Sequence, residues 1–215
     1  MYFGCRGVLT PARAVPKRAL ALHRDYSWPL EFWTAGAAWL ANTFYDYYLY
    51  TGDKDFLAKR AVPYMKEVAL FYEDFLTVTD ENGKYIFTPS YSPENIPGNS
   101  NHQATVNATM DISASKELLT NLIASCNELN IEQEGIAKWQ KMLSKIPDYM
   151  VNEDGAIKEW AHPDLADNYH HRHLSHLYSV WPALEANEED SPELFKACIR
   201  AAEMRMTDGI ANMSL

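Results

Sequence analysis

The sequence predicts an all-α fold of paired helices, the arrangement of an αα-hairpin toroid, and three observations carry that expectation. Apolar residues recur at spacings of three and four over long stretches, most clearly at Leu57, Ala61, Met65, Val68, Tyr72 and Phe75. Alternating apolar segments are short, as in Tyr85-Ile86-Phe87, and suit small β-hairpins set in loops. The order helix, short turn, helix, long loop occurs twice, which brings the long loops to one end of the helical pairs. A closed toroid of six hairpins takes about twelve helices. The chain offers about five or six, roughly half of such a barrel.

From Met1 to Leu22 no period persists, and Gly4, Gly7, Pro11 and Pro16 read as extended chain and loop. A polar-aromatic loop, His23 to Pro29, follows. Phe32 to Tyr50 is rich in Ala and aromatics and almost free of charge. Apolar on nearly all sides, this stretch is expected to be a buried helix. Thr51-Gly52-Asp53 stops it at the glycine and starts the next helix with Asp53 as its cap. That second helix spans Lys54 to Leu76, and Pro63 should kink or split it.

Asn82-Gly83 then makes a tight turn into Tyr85-Ile86-Phe87. Thr109 is the expected cap of a helix over Met110 to Asn130, whose apolar face carries Ile112, Leu119, Leu122, Cys126 and Leu129. A shorter helix over Gly135 to Lys145 ends at Ile146-Pro147. Asp154-Gly155 is the turn of a small hairpin between Tyr149-Val151 and Ala156-Trp160. A helix is expected near Leu174 to Trp181. Ser191-Pro192-Glu193 opens a last one that runs to about Met206.

Composition narrows the function. A chain of 215 residues suits one domain or a piece of a larger one, and at 47% hydrophobic it can bury a core. A formal charge of -10 argues against a nucleic-acid partner, since little is present to neutralise phosphates. No run of 18 apolar residues suggests a membrane span. Cys5, Cys126 and Cys198 have neither metal spacing nor a disulfide framework. Met1-Tyr2-Phe3-Gly4-Cys5 lacks the basic and apolar regions of a signal peptide. Six Trp and 13 Tyr provide faces that stack on sugar rings, although they also fill ordinary cores.

Two polar clusters stand out. In Thr88-Pro89-Ser90-Tyr91-Ser92-Pro93-Glu94-Asn95, two prolines stiffen a loop that presents Glu94 beside an aromatic ring and several hydroxyls. The bland alternative is a Ser-Pro turn with a solvated Glu. The second cluster holds His170, His171, His173 and His176. His173 and His176 can meet on one helical turn, yet the spacing of zinc proteases is absent and nothing fixes a carboxylate ligand. No metal and no cofactor is therefore expected, and the imidazoles read as hydrogen-bonding groups for a polar ligand or as a plain surface run. Ser175 beside His176 lacks a nucleophile elbow, which argues against serine chemistry. Asp111, His102 and Glu159 are weaker candidates, each more readily read as a cap, a loop residue or a surface charge.

Trp28-Pro29, Phe32-Trp33-Thr34-Ala35-Gly36-Ala37-Ala38-Trp39, Tyr48-Leu49-Tyr50-Thr51-Gly52-Asp53, Pro89 to Asn95, Thr109-Met110-Asp111, Lys158-Glu159-Trp160 and His171-Arg172-His173-Leu174-Ser175-His176-Leu177 occur in an order and spacing that resemble the catalytic domain of glycoside hydrolase family 95. The resemblance spans nearly the whole chain. It implies an (α/α)6 barrel of which residues 1–215 are a part, and inverting hydrolysis of terminal α-L-fucosyl or α-L-galactosyl linkages. It places the general acid at Glu94 and a sugar pocket at His171, His173 and His176, with Tyr91, Trp28 and Asp111 as further binding candidates. Its base, an Asn activated by an Asp, is expected from segments before Met1 and beyond Leu215. The implied partners are an oligosaccharide or polysaccharide and the rest of the same catalytic domain, and the implied location is periplasmic or secreted. Two rivals remain open: a degenerate carbohydrate-binding domain without turnover, and an αα-toroid polysaccharide lyase. The lyase is disfavoured by the shortage of clustered Arg and Lys to hold a uronate.

Overall fold

A computed structural model of the chain describes residues 4–10 and 33–207. Those residues are all-α, with α1 over Gly36–Thr51, α2 over Lys54–Phe56, α3 over Val62–Phe75, α4 over Thr109–Leu129, α5 over Gln133–Lys145 and α6 over Pro192–Thr207. Extended structure is limited to isolated antiparallel bridges: Thr79–Tyr85, Ser90–Thr105, Ala108–Trp160 and Val151–Ile157. The Asn82-Gly83 and Asp154-Gly155 turns lie where the sequence puts them, each closing one of these bridges. No helix among the described residues is long and apolar enough to cross a membrane.

α4 is the central column. It packs against α1, α3 and α5 and against the short 3-10 turn Ser175–Leu177. Every residue from Thr109 to Ser115 is buried, so its first two turns have protein on all sides. The Lys54–Leu76 stretch divides as Pro63 predicts: α2 and α3 are joined by a π-helical turn over Leu57–Ala61. There the Val62 amide reaches back five residues to the Leu57 carbonyl. The extra residue makes room for a ring that lacks an N–H and would clash one turn back. Asp53 caps α2 by accepting from the Phe56 amide at 2.9 Å, and Gly52 ends α1 at φ 67 with its N–H on the Tyr48 carbonyl.

Three expectations need correction. α1 buries Ala37, Ala38 and Ala41, but Trp39, Leu40, Tyr47, Leu49 and Tyr50 are exposed. Small residues let α1 approach α4 closely, and bulky ones are turned outward; apolar composition alone did not say which side is covered. Thr109 lies inside α4, and its hydroxyl donates to the Lys158 carbonyl at 2.5 Å instead of capping. The helix expected at Leu174 to Trp181 is a single 3-10 turn followed by turns. Pro182 disfavours α geometry at Trp181, and the Ser175 hydroxyl is engaged by the Pro93 carbonyl.

The N-terminal segment docks on α3. Arg6 forks onto Asp74, and the Val8 amide bonds the Glu67 carbonyl at 3.1 Å. Gly7, at φ 71, lies so close that a Cβ would come within 2.1 Å of the Glu67 oxygen. Among the described residues Cys5, Cys126 and Cys198 are buried and form no disulfide.

Candidate active site

The loop bearing Glu94 is held at its base by α4. Asp111, in the first turn of that helix, accepts from the Ser90 hydroxyl at 2.5 Å and from the Tyr91 amide at 3.1 Å. The same Ser90 oxygen accepts from the Ala108 amide at 2.8 Å, and Ser90 and Thr105 exchange backbone bonds. One serine thus ties the loop's entry, its exit and the helix start together. Burial pushes the Asp111 carboxyl up to about 6, opposed by its hydrogen bonds to Ser90 and Tyr91.

The residues flanking Glu94 point inward. Ser92 Oγ donates to Glu159 Oε1 at 2.7 Å, and Asn95 Nδ2 donates to Glu159 Oε2 at 2.6 Å. Asn95 also reaches the Asn168 carbonyl at 2.9 Å, while Asn168 returns a bond to the Ile96 carbonyl at 3.1 Å. Glu94 itself points outward and keeps 23% of its side chain accessible. Its carboxylate is paired with Arg172, and its carbonyl accepts from Gln103 Nε2 at 2.9 Å.

The imidazole segment lies against this loop. Arg172 Nε donates to His173 Nε2 at 3.0 Å, and the His173 amide donates to His171 Nδ1 at 3.0 Å. The His171 and His173 rings meet edge to face at 5.1 Å, and the Glu94 backbone is a further hydrogen-bond partner of His171. Burial, then the charges of Arg205, His173 and Arg172, pulls the His171 ring down to about 4. It is neutral near pH 7, with Nδ1 accepting from the His173 amide. His176 is buried and pulled well down as well, first by burial and then by Arg205 and His171. Neither of its ring nitrogens has a hydrogen-bond partner among the described residues.

The expected site residues therefore fall into two layers. Glu94, His171 and His173 are partly open, whereas Tyr91, Asp111 and His176 are at most 1% exposed beneath them. Trp28 lies outside the described residues. His102 is exposed and its amide bonds the Ser100 hydroxyl at 3.1 Å. Glu159, readable as a surface charge, is 2% exposed and paired with Arg205 at 2.6 Å. Among the described residues no three His, Cys, Asp or Glu side chains come together as a metal site requires. The groove of about 430 Å³ between α3 and α5 contains none of these residues, and four of its charged side chains form the Lys66–Glu132 and Lys138–Glu73 pairs.

Sequence reasoning missed Arg205 and did not assign Arg172 a role. A signal for Arg205 was present: it continues the buried stripe Ala197, Ala201 at helical spacing, where an unpaired guanidinium has no place.

The pattern of the glycosyl hydrolase family 95 catalytic domain matches residues 1–214. The chain is also similar to alpha-L-fucosidase 2 of Arabidopsis thaliana, with 32% identity over 202 residues that cover 92% of this chain and 23% of that protein. It thus spans about a quarter of the relative's length. With a match over essentially its whole length, and with the Ser-Pro-Glu and His-Arg-His segments packed against each other, the chain belongs to the glycosyl hydrolase family 95 catalytic-domain family.

Proposed function

We propose that this chain supplies the general acid and part of the sugar pocket of an inverting exo-glycosidase acting on terminal α-L-fucosyl or α-L-galactosyl linkages. The observation that carries the reading is the setting of Glu94, a partly open carboxyl on a doubly anchored loop beside the neutral imidazole of His171. In the reaction, the Glu94 carboxyl passes its proton to the glycosidic oxygen as the bond to the anomeric carbon breaks. A water attacks that carbon from the opposite face and gives its proton to a base. Inverting pairs are spaced about 6.5–9.5 Å apart to leave room for this water.

Arg172 is paired with the Glu94 carboxylate, so proton donation requires Glu94 to leave that partner and take up a proton from solvent before it meets the glycosidic oxygen. His171 and His173 bond sugar hydroxyls in this reading. Tyr91, Asp111 and His176, buried beneath them, support the floor of the pocket, and Trp28 contributes an aromatic face. The base comes from outside these residues. Asp111 and Glu159 are buried and already accept bonds from protein donors, so neither is open to activate a water.

Glu94→Gln tests the acid. In a protein carrying the complete catalytic domain, the variant should lose about 10²–10⁴-fold in kcat on a natural oligosaccharide. It should keep far more activity on an activated aryl glycoside, whose leaving group needs no proton. Proton NMR of the first-formed sugar should show the inverted anomer, and the 215 residues alone should release no fucose or galactose. Wild-type turnover of the natural substrate by Glu94→Gln removes the assignment. Sugar binding by the complete domain without release of product would favour the non-catalytic alternative.

A further inference from the structure

Glu159 and Arg205 make up the most deeply buried ion pair among the described residues, with side chains 3% and 1% accessible. Glu159 follows the Val151–Ile157 bridge, and its backbone is fixed on both sides. Its carbonyl accepts from the Thr109 amide at 3.0 Å, and its amide donates to Asp167 Oδ1 at 2.9 Å. The carboxylate receives Ser92 Oγ at 2.7 Å and Asn95 Nδ2 at 2.6 Å, from residues two before and one after Glu94. Arg205 joins the same carboxylate through Nη2 at 2.6 Å and extends Nη1 to the His173 carbonyl at 2.7 Å. One ion pair therefore holds the Glu94 loop on one side and the imidazole segment on the other.

Stability is a poor explanation for such a pair. Two charges withdrawn from water are costly, and well-packed apolar residues commonly serve the fold as well or better. What apolar residues cannot supply is direction. Each bond here runs to a group adjacent to a residue of the candidate site, so the pair fixes distances between chain segments far apart in sequence.

We infer that the Glu159–Arg205 pair is the positioning element of the site, setting the Glu94 carboxyl in register with His173. The inference rests on Glu94 being the acid, and neither Glu159 nor Arg205 touches substrate. The pair acts through Glu94, so its removal should imitate a misplaced acid and not a missing pocket.

The test uses the protein with its complete catalytic domain and three variants: Glu159→Gln, Ser92→Ala, and the apolar pair Glu159→Leu/Arg205→Met. Each is measured on a natural oligosaccharide and on an activated aryl glycoside, alone and in a Glu94→Gln background. The expected result for Glu159→Gln and the apolar pair is a kcat loss of about 10–100-fold on the natural substrate, because displacement of about 1 Å costs that much. Loss on the aryl glycoside should be several-fold smaller, and Ser92→Ala should follow the same pattern more weakly. In the Glu94→Gln background the further loss should nearly vanish, since the residue acted upon is gone.

A purely structural role predicts a different outcome: equal loss on both substrates, tracking the folded fraction, and undiminished loss in the Glu94→Gln background. That result overturns the inference and leaves the acid in place. So does wild-type kcat in a folded apolar pair. If Glu94→Gln itself retains natural-substrate turnover, the acid reading falls and the positioning role falls with it. Ser92→Ala, which leaves both charges paired, decides the question should the charge-altering variants fail to fold.

Discussion

Two acidic clusters hold this chain together, and in one of them a partly open carboxylate lies against the imidazole segment. In the first, Glu94, Asp111 and Glu159 meet Ser90, Ser92, Asn95 and Arg205. In the second, Glu117 accepts from Asn42 Nδ2 at 2.5 Å and from the Tyr178 hydroxyl at 2.6 Å, while Glu185 accepts from the Tyr149 hydroxyl at 2.5 Å and pairs with Lys116 at 3.1 Å. Both clusters join segments distant in sequence, and both raise carboxyl pKa values, chiefly by burial. Perturbed acids are therefore not diagnostic of chemistry in this molecule. What sets the first cluster apart is that its buried acids frame a third carboxyl, Glu94, that lies against the imidazole segment and is paired with Arg172. In the second cluster tyrosine hydroxyls donate to both acids, which makes it a fastening between α1, α4 and the segment after the 3-10 turn.

The largest expected effect separates the clusters by readout. Glu94→Gln should cost about 10²–10⁴-fold in turnover of a natural substrate while changing stability little, because its side chain lies at the surface of the loop. Glu117→Gln should do the reverse. It keeps one acceptor for Asn42 or Tyr178, strands the other donor, and should lower stability by about 1–2 kcal/mol with kcat unchanged. Thermal unfolding and steady-state kinetics on the same preparations check both. A Glu117 variant with defective turnover at full stability would erase the distinction.

Next in size is Arg205→Met. It leaves Glu159 buried without its counter-charge, at a cost of about 3–5 kcal/mol by denaturant titration. Replacing Glu159 by Leu at the same time should recover most of that loss, since the penalty comes from the unpaired charge.

Asp111 sharpens the comparison through pH. Its folded carboxyl titrates at about 6, above the ordinary value of 3.8. Its favourable contribution is thus complete below the unfolded value and is lost as pH rises through about 6. His171 works in the opposite sense, because a ring lowered to about 4 loses its contribution as pH falls. The variant Asp111→Asn isolates the first effect. Its stability relative to the parent should rise between about pH 4 and pH 6 and level off above, by at most about 3 kcal/mol. Urea titrations of both proteins across that range measure the difference, and a flat difference would show that Asp111 does not titrate in this window.

The sequence carried the helices better than the network. Spacing at Leu57 to Phe75, Gly52 with Asp53, and Pro63 each acts within a few residues, so each is readable from local sequence. The Glu94 loop was legible from its two prolines and from the family resemblance. The frame beneath it was not. Ser92 finds Glu159 67 residues away, and Glu159 finds Arg205 46 residues further on. No local rule pairs residues at such separations. Thr109 misled for a related reason: its hydroxyl had a nearby capping role available, and tertiary packing gave it the Lys158 carbonyl instead. The α1 surface was misjudged because an apolar stretch announces that it can be covered without saying by what.

The smallest effect is expected where the second cluster most resembles the first. Lys116 pairs with Glu185 as Arg205 pairs with Glu159, and both acids also accept from a hydroxyl. The difference is solvent. Lys116 and Glu185 keep 20% and 35% of their side chains accessible, against 1% and 3% for Arg205 and Glu159. Water can take over the Glu185 carboxylate when the ammonium is removed, and the Tyr149 hydroxyl continues to donate to it. Lys116 also lies 4.0 Å from the centre of the Tyr149 ring, a contact that Met can partly replace by packing. Lys116→Met should therefore cost no more than about 1 kcal/mol, several-fold less than Arg205→Met, and leave kcat at the parent value. A loss comparable to that of Arg205→Met would mean that burial is not what distinguishes the two pairs.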